Sequence, residues 1–310
     1  MSGYSDNVMI CEVSTRDGFQ TLIPPTVDEK LHLIDLIVNS GIKCIEYGSF
    51  SFLKEGKEDE RCPTSVVTRR LKRVPGVSYR AMLQKPYEMK LAVDSGVDYI
   101  KLNVSACEEH YRKMTGNSIE EGMTGFKEIG TIAERNDVSI LGSISLAFTS
   151  PYSGIIPKDR VAEIISRFID CGATEISLND TAGLAFPDQV NDLFTDMMSR
   201  FPDIKTWCFH AHNTRGTGLA NVLGALSAGV SRIDSSLAGI GGCPVFKNAS
   251  GNISTEDLTY LLNGMGIDTG VDLAKIINAG KYIETLVPPD KTDSYIQRLE
   301  KIKEQQKEIE

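Results

Sequence analysis

Two of the chain's four histidines, His210 and His212, stand two residues apart behind a β-rich run over 205–209. Successive side chains on a strand point to opposite faces, so these two imidazoles point the same way. Side by side on one face they suit metal ligation. A few tens of residues later, Gly241-Gly242-Cys243-Pro244 offers a thiol in a loop, followed by Ala249-Ser250-Gly251-Asn252. Near the N-terminus a strand-like run leads into Arg16-Asp17-Gly18. Asp17 supplies a hard carboxylate oxygen, and Arg16 a positive charge that deprotonation cannot remove. Each motif alone has a plainer reading: an ion pair at a turn, two structural histidines, a small buried cysteine. Together, one carboxylate, two imidazoles and the amide oxygen of Asn252 make a mixed nitrogen and oxygen set. Such a set suits Mg²⁺, Mn²⁺ or Zn²⁺ and leaves positions for substrate or water. Ligand type does not choose among these metals.

These residues are far apart in the chain, so the fold has to gather them. Short β-branched runs alternate with amphipathic stretches almost end to end. The spacing predicts strands over 8–13, 44–48, 79–83, 99–104, 142–148, 175–179, 205–211 and 232–238. Between and after them it predicts helices over 27–39, 64–73, 87–94, 119–135, 159–171, 187–200, 217–228 and 255–263. Ser40-Gly41, Ser95-Gly96, Cys171-Gly172 and Ala228-Gly229 read as helix C-caps leading into new strands. Eight strand-helix repeats fit an α/β fold of the closed (β/α)8, or TIM-barrel, type, with a doubly wound open sheet as the alternative. The barrel is the better reading because the reactive residues fall at the C-terminal ends of different strands. Arg16 and Asp17 follow the first, Glu46 lies in the second, and Asn179-Asp180 end the sixth. His210 and His212 end the seventh, and the Cys243 loop follows the eighth. Only a closed barrel brings all of these to one face.

The barrel is expected over 1–289, with a charged tail over 290–310 in which Ile296, Leu299 and Ile302 keep helical spacing. That tail reads either as a helix docked on the barrel or a neighbouring subunit, or as a solvated, frayed helix. The polar stretch over 50–61, just past the second strand, is a candidate active-site loop or lid. A net charge of −9 and a pI of about 5.1 argue against a nucleic-acid surface or an anionic membrane as partner. An anionic substrate needs only a local positive site. Seven cysteines without a Cys-x-x-Cys read as reduced thiols. With neither a signal-like N-terminus nor an apolar run near membrane-spanning length, the chain reads as soluble and cytoplasmic.

In combination, Arg16-Asp17-Gly18, His210-Ala211-His212-Asn213, Gly239-Ile240-Gly241-Gly242-Cys243-Pro244, Ala249-Ser250-Gly251-Asn252 and Thr255-Glu256-Asp257 resemble the 3-hydroxy-3-methylglutaryl-CoA lyase family. The resemblance runs from about residue 8 to about residue 286, and the cysteine loop with its downstream asparagine is its specific part. It implies a divalent metal, Mg²⁺ or Mn²⁺ ahead of Zn²⁺, held by Asp17, His210, His212 and Asn252. It implies Arg16 as the catalytic arginine, Cys243 as the reactive loop cysteine, and Glu46 as the acid that supports Arg16. Asp180 matches a site-facing carboxylate after the sixth strand. A dimer or higher homo-oligomer is also implied.

The implied chemistry is retro-Claisen cleavage of a 3-hydroxyacyl-CoA to acetyl-CoA and a keto acid. The metal would acidify the tertiary hydroxyl. Asp17, His210 and a bound water are the candidate bases. Arg16 would stabilise the developing enolate, and Cys243 would protonate it or close the site. Several loops depart from the family pattern. Val13-Ser14-Thr15 precedes Arg16 where Gly-Pro is usual, Met82-Leu83-Gln84 ends the third strand, and Val245-Phe246-Lys247-Asn248 follows the cysteine. These loops sit where the acyl group and CoA should lie, so citramalyl-CoA or a longer 3-hydroxyglutaryl-CoA are alternative substrates. A second class, the Claisen-type synthases similar to isopropylmalate or citramalate synthase, shares the barrel, the Arg-Asp and the His-x-His. Its Asn-Asp continuation and catalytic-glutamate loop are missing here, where the chain reads His212-Asn213-Thr214 and Gly242-Cys243. A binding protein on a retired barrel is the third class.

Overall fold

The computed structural model describes residues 4–51, 58–242 and 251–309. Eight parallel strands run in chain order: β1 (Met9–Glu12), β2 (Cys44–Ser49), β3 (Ser78–Met82), β4 (Tyr99–Ser105), β5 (Ser139–Ser145), β6 (Glu175–Asp180), β7 (Thr206–Ala211) and β8 (Arg232–Ser235). Each pairs with its sequence neighbour, and β1 closes on β8 in the register Met9↔Arg232 to Glu12↔Ser235, so the sheet is a closed barrel. Around it lie α1 (Val27–Asn39), α2 (Thr64–Arg70), α3 (Pro86–Ser95), α4 (Glu108–Thr115), α5 (Ile119–Met123), α6 (Phe126–Arg135), α7 (Lys158–Asp170), α8 (Pro187–Arg200), α9 (Gly218–Ser227), α10 (Thr255–Gly264), α11 (Leu273–Leu286) and α12 (Tyr295–Ile309).

Local chemistry explains the pattern. Thr26 and Glu29 form a capping box at the start of α1, which then buries Leu33, Ile34 and Ile37 against the sheet. The main core lies between strands and helices, where parallel strands are covered on their outer face. The inside of the barrel is more polar. Arg232 and Glu175 pair with Tyr99 near the strands' N-terminal ends, Arg232 Nη1 donating to the Tyr99 hydroxyl at 3.1 Å. Charged groups continue upward to the opposite mouth.

Three expectations shift. The fifth strand starts and ends three residues earlier than its β-branched run suggested, because Leu146 adopts a left-handed φ of 52°. Its N–H then turns to Thr181 Oγ1 at 3.0 Å, and a short hairpin pairs Thr149 with Ile155. The helix expected over 119–135 is two helices meeting at Thr124-Gly125. α4 and α11 carried no expectation: α4 is mostly charged and buries only His110 and Tyr111, and α11 is capped by Asp272, which accepts from Lys275 N. The tail helix docks on the chain's own barrel at its first turn. Asp257 accepts from Ser294 Oγ, Tyr295 N and Ile296 N at 2.9–3.0 Å. Gln297 is buried and donates to Glu256 and to Ile277 O. Leu299 and Ile302, by contrast, remain half exposed.

Candidate active site and metal centre

At the end of β1 the chain tightens into a wide helical turn, Ser14–Gly18, in which the N–H groups of Arg16, Asp17 and Gly18 all point at Val13 O. That turn lays Arg16 and Asp17 over the barrel mouth. Glycine is required at position 18 because a Cβ there would lie 2.7 Å from Ile240 Cγ1, so the first loop and the loop after β8 can close on each other. Position 241 is equally constrained: its φ is 130°, and a Cβ would lie 2.5 Å from Asn252 Nδ2.

Asp17, His210 and His212 each offer one ligand atom, all within 4.8 Å of one another. His210 projects inward from β7, and its Nε2 lies 3.1 Å from Nε2 of His212 and 3.8 Å from Asp17 Oδ2. His212 pairs with Asn252 through an antiparallel bridge, and the Asn252 amide donates to Asp17 Oδ2 at 2.9 Å and to Ile240 O at 3.2 Å. Burial, with His210 as the next cause, pushes His212 down to about 3, so its ring is neutral and has a lone pair to give. Burial alone would raise Asp17, but Arg16, His210 and His212 outweigh it and hold the carboxyl well below the usual range. Nδ1 of His212 and Oδ1 of Asn252 are buried without partners. An ionised carboxylate, two imidazole nitrogens converging at 3.1 Å and an orphaned amide oxygen fit a divalent cation.

Behind this cluster runs a buried ionic circuit. Arg16 grips Glu46 with Nε and Nη2 and reaches Asp17 Oδ1 with Nη1 at 2.7 Å. The other Glu46 oxygen accepts from Lys101 Nζ at 2.9 Å and lies 3.3 Å from Arg80 Nε. Arg80 continues to Asp234 Oδ1 at 2.6 Å, and Asp234 Oδ2 lies 3.3 Å from His210 Nδ1. Burial would raise Glu46, but Arg16, Lys101 and Arg80 hold it down to about 2. Asp234 is likewise held low, against its burial, by Arg80 and His210.

Arg16, Asp17, Glu46, His210, His212 and Asn252 thus meet at one mouth. Asp180 does not face it. Its carboxylate turns to the backbone, accepting from Leu184 N at 2.9 Å, Ala185 N at 3.2 Å and Asn221 Nδ2 at 3.4 Å, so it holds the loop after β6. Its neighbours Asn179 and Thr181 line the cavity instead. Cys243 lies outside the described residues, although Gly242 before it sits on the cavity rim. Residues 52–57 of the expected lid also lie outside them; Glu58 caps α2 through Ser65 N at 2.8 Å. The cavity is about 110 Å³, several times the ~10–15 Å³ that one water needs. Besides the cluster it presents Lys101, Asn103, His110, Met82 and Met114. His110 contacts Ser105 Oγ at 3.0 Å, and burial lowers it to about 4. Sequence reasoning missed Arg80, Lys101, Asn103 and Asp234. The signal was there, in charged and amide side chains set in the middle of otherwise apolar strands.

The HMGL-like family profile matches residues 7–283. A 3-hydroxy-3-methylglutaryl-CoA lyase from Mus musculus, named as cytoplasmic, is 37% identical over 285 residues, covering 91% of this chain and 82% of the relative. The structure of an HMG-CoA lyase from Bacillus subtilis superposes with a TM-score of 0.87 at 31% identity, over 96% of this chain and 99% of that one. One from Acinetobacter baumannii, in complex with coenzyme A and 3-methylmalate, superposes with a TM-score of 0.85 at 31% identity, over 92% and 93% of the two chains. These matches run through the whole barrel and carry every motif at its mouth, and the chain belongs to the HMGL-like family.

Proposed function

We propose that this protein is a divalent-metal-dependent carbon–carbon lyase that cleaves 3-hydroxy-3-methylglutaryl-CoA to acetyl-CoA and acetoacetate. The observation that carries the reading is the convergence of Asp17, His210 and His212 beside Arg16, in a chain 37% identical to a lyase of that name. Asp17, His210, His212 and Asn252 would hold the cation. When bound, it acidifies the substrate's tertiary hydroxyl and polarises the adjoining oxygen. The hydroxyl proton passes to Asp17, the one carboxylate of the buried circuit that lines the cavity. As the carbon–carbon bond breaks, its electron pair moves onto the acetyl carbon and the C–OH becomes a ketone. Arg16, oriented by Glu46, stabilises the thioester enolate. Cys243, next to the rim residue Gly242, gives that carbon its proton and completes acetyl-CoA.

Mg²⁺ or Mn²⁺ fits the two oxygen donors better than a thiolate-seeking metal. A cytoplasmic location accords with six free cysteines among the described residues and with the Mus musculus relative, although another relative is named as mitochondrial. A homodimer would cover Leu299 and Ile302 on α12. The test is acetyl-CoA release from 3-hydroxy-3-methylglutaryl-CoA and citramalyl-CoA side by side, with and without chelator. Chelator-sensitive release from the first establishes the reading. Release from citramalyl-CoA alone reassigns the acyl group, and release from neither by metal-loaded protein rejects both.

A further inference from the structure

The buried circuit holds three fixed cations, Arg16, Arg80 and Lys101, against three carboxylates, Asp17, Glu46 and Asp234. The protein's own charges therefore balance, and a divalent cation leaves the site with excess positive charge. Buried charge without compensation is costly. The one permanent negative charge that a 3-hydroxyacyl thioester can bring is a carboxylate at the far end of its acyl group.

The geometry shows where that carboxylate can be received. Arg80 is fully buried and does not line the cavity. Arg16 is committed to Asp17, Glu46 and Gln20. Lys101 lines the cavity, gives one hydrogen bond to Glu46 Oε2 at 2.9 Å, and stands 3.9 Å from Asp234. An ammonium has three N–H donors, so Lys101 keeps donors for a ligand. Asn103 follows two residues later on β4 and shares the inward face. Ser145 Oγ donates to Asn103 Oδ1 at 3.1 Å, which fixes the amide, and its Nδ2 has no partner among the described residues. Met82 and Met114 line the same cavity and offer apolar surface to the carbon chain between.

We propose that Lys101 and Asn103 form the subsite for the distal carboxylate and select dicarboxylic over monocarboxylic 3-hydroxyacyl-CoAs. The proposal rests on the lyase reading above and adds to it the residues that determine specificity.

The experiment compares kcat/KM of the Mg²⁺-loaded enzyme for 3-hydroxy-3-methylglutaryl-CoA and for 3-hydroxy-3-methylbutyryl-CoA, which lacks the carboxylate. Lys101→Met should lower the value for the diacid by about 10- to 100-fold, the scale of a lost charge-assisted hydrogen bond, and leave the monoacid's essentially unchanged. Asn103→Leu, which spares the partners of Glu46, should act in the same direction and more weakly. Equal losses on both substrates, or an unchanged ratio in both variants, would overturn the subsite and leave Lys101 as a support for Glu46. If the wild type cleaves neither thioester, the lyase reading fails, and calorimetric binding of glutarate to metal-loaded protein decides the subsite separately. Binding that Lys101→Met weakens keeps it; equal binding, or none, rejects it.

Discussion

Nδ1 of His210 lies 3.3 Å from Oδ2 of Asp234, and Arg80 holds the other oxygen of that carboxylate at 2.6 Å. The imidazole is thereby fixed with its proton on Nδ1 and its lone pair on Nε2, aimed at Asp17 and His212. Asp234→Asn should weaken metal binding about 10- to 100-fold, the usual effect of losing such a partner. Isothermal titration with Mg²⁺ or Mn²⁺ checks it. Asp234→Ala should also cost about 3–5 kcal/mol of stability, because Arg80 is left buried beside fewer carboxylate oxygens.

Arg16 touches both Glu46 and Asp17 at the cavity wall. Arg16→Met should lower kcat by about 10²–10³, as expected for a principal donor to a developing oxyanion. Metal affinity should change far less. Steady-state kinetics beside a metal titration separates the two. Comparable losses in both would make Arg16 a support for Asp17.

Ligand removal has a thermal signature. A cation binding only the folded state at about 100 times its dissociation constant adds about 2.7 kcal/mol. Melting curves of chelated protein should rise on adding metal, and the rise should vanish in the His210→Ala and His212→Ala variants.

Two buried glutamates give opposite pH slopes. Glu46 falls from an ordinary 4.5 to about 2, burial notwithstanding, under Arg16, Lys101 and Arg80. Its contribution is present above pH 4.5 and is lost as pH falls toward 2. Burial raises Glu256 from 4.5 to about 7, so its contribution is full below pH 4.5 and is lost as pH rises through 7. Denaturant midpoints of chelated protein should fall on both sides. Glu46→Gln should flatten the acid limb, and Glu256→Gln the limb between pH 5 and 7.

Asp180 secures the backbone at Leu184 and Ala185. Asp180→Ala should cost about 1–3 kcal/mol, the penalty for unmade buried hydrogen bonds, without loosening the metal. Chemical denaturation and metal titration of the same variant check both parts.

Much of this was legible in the chain. Strand-helix alternation and the placement of reactive residues after strands imply a barrel with one working face. Residues two apart on a strand must share a face, so the His210–His212 pair could be read directly. What escaped reading depends on three dimensions. Asp180 looked like a site residue because it ends a strand, yet the turn that follows folds back and claims its carboxylate. Lys101 and Asp234 lie on strands four and eight, and nothing local says that they meet around Arg80 and Glu46 at the barrel axis. Leu146 ended a strand early by a backbone choice that its side chain does not announce.

The hydrogen bond from Asn252 to Asp17 joins residues 235 positions apart, across the seam where β1 meets β8. Closing so long a stretch of chain carries a large entropic cost, and such contacts form late in folding. A cation shared by Asp17 and Asn252 is therefore also a staple between the first strand and the last. Its removal loosens the barrel first along that seam, where amide hydrogen exchange at Met9–Glu12 and Arg232–Ser235 should quicken before the strands opposite.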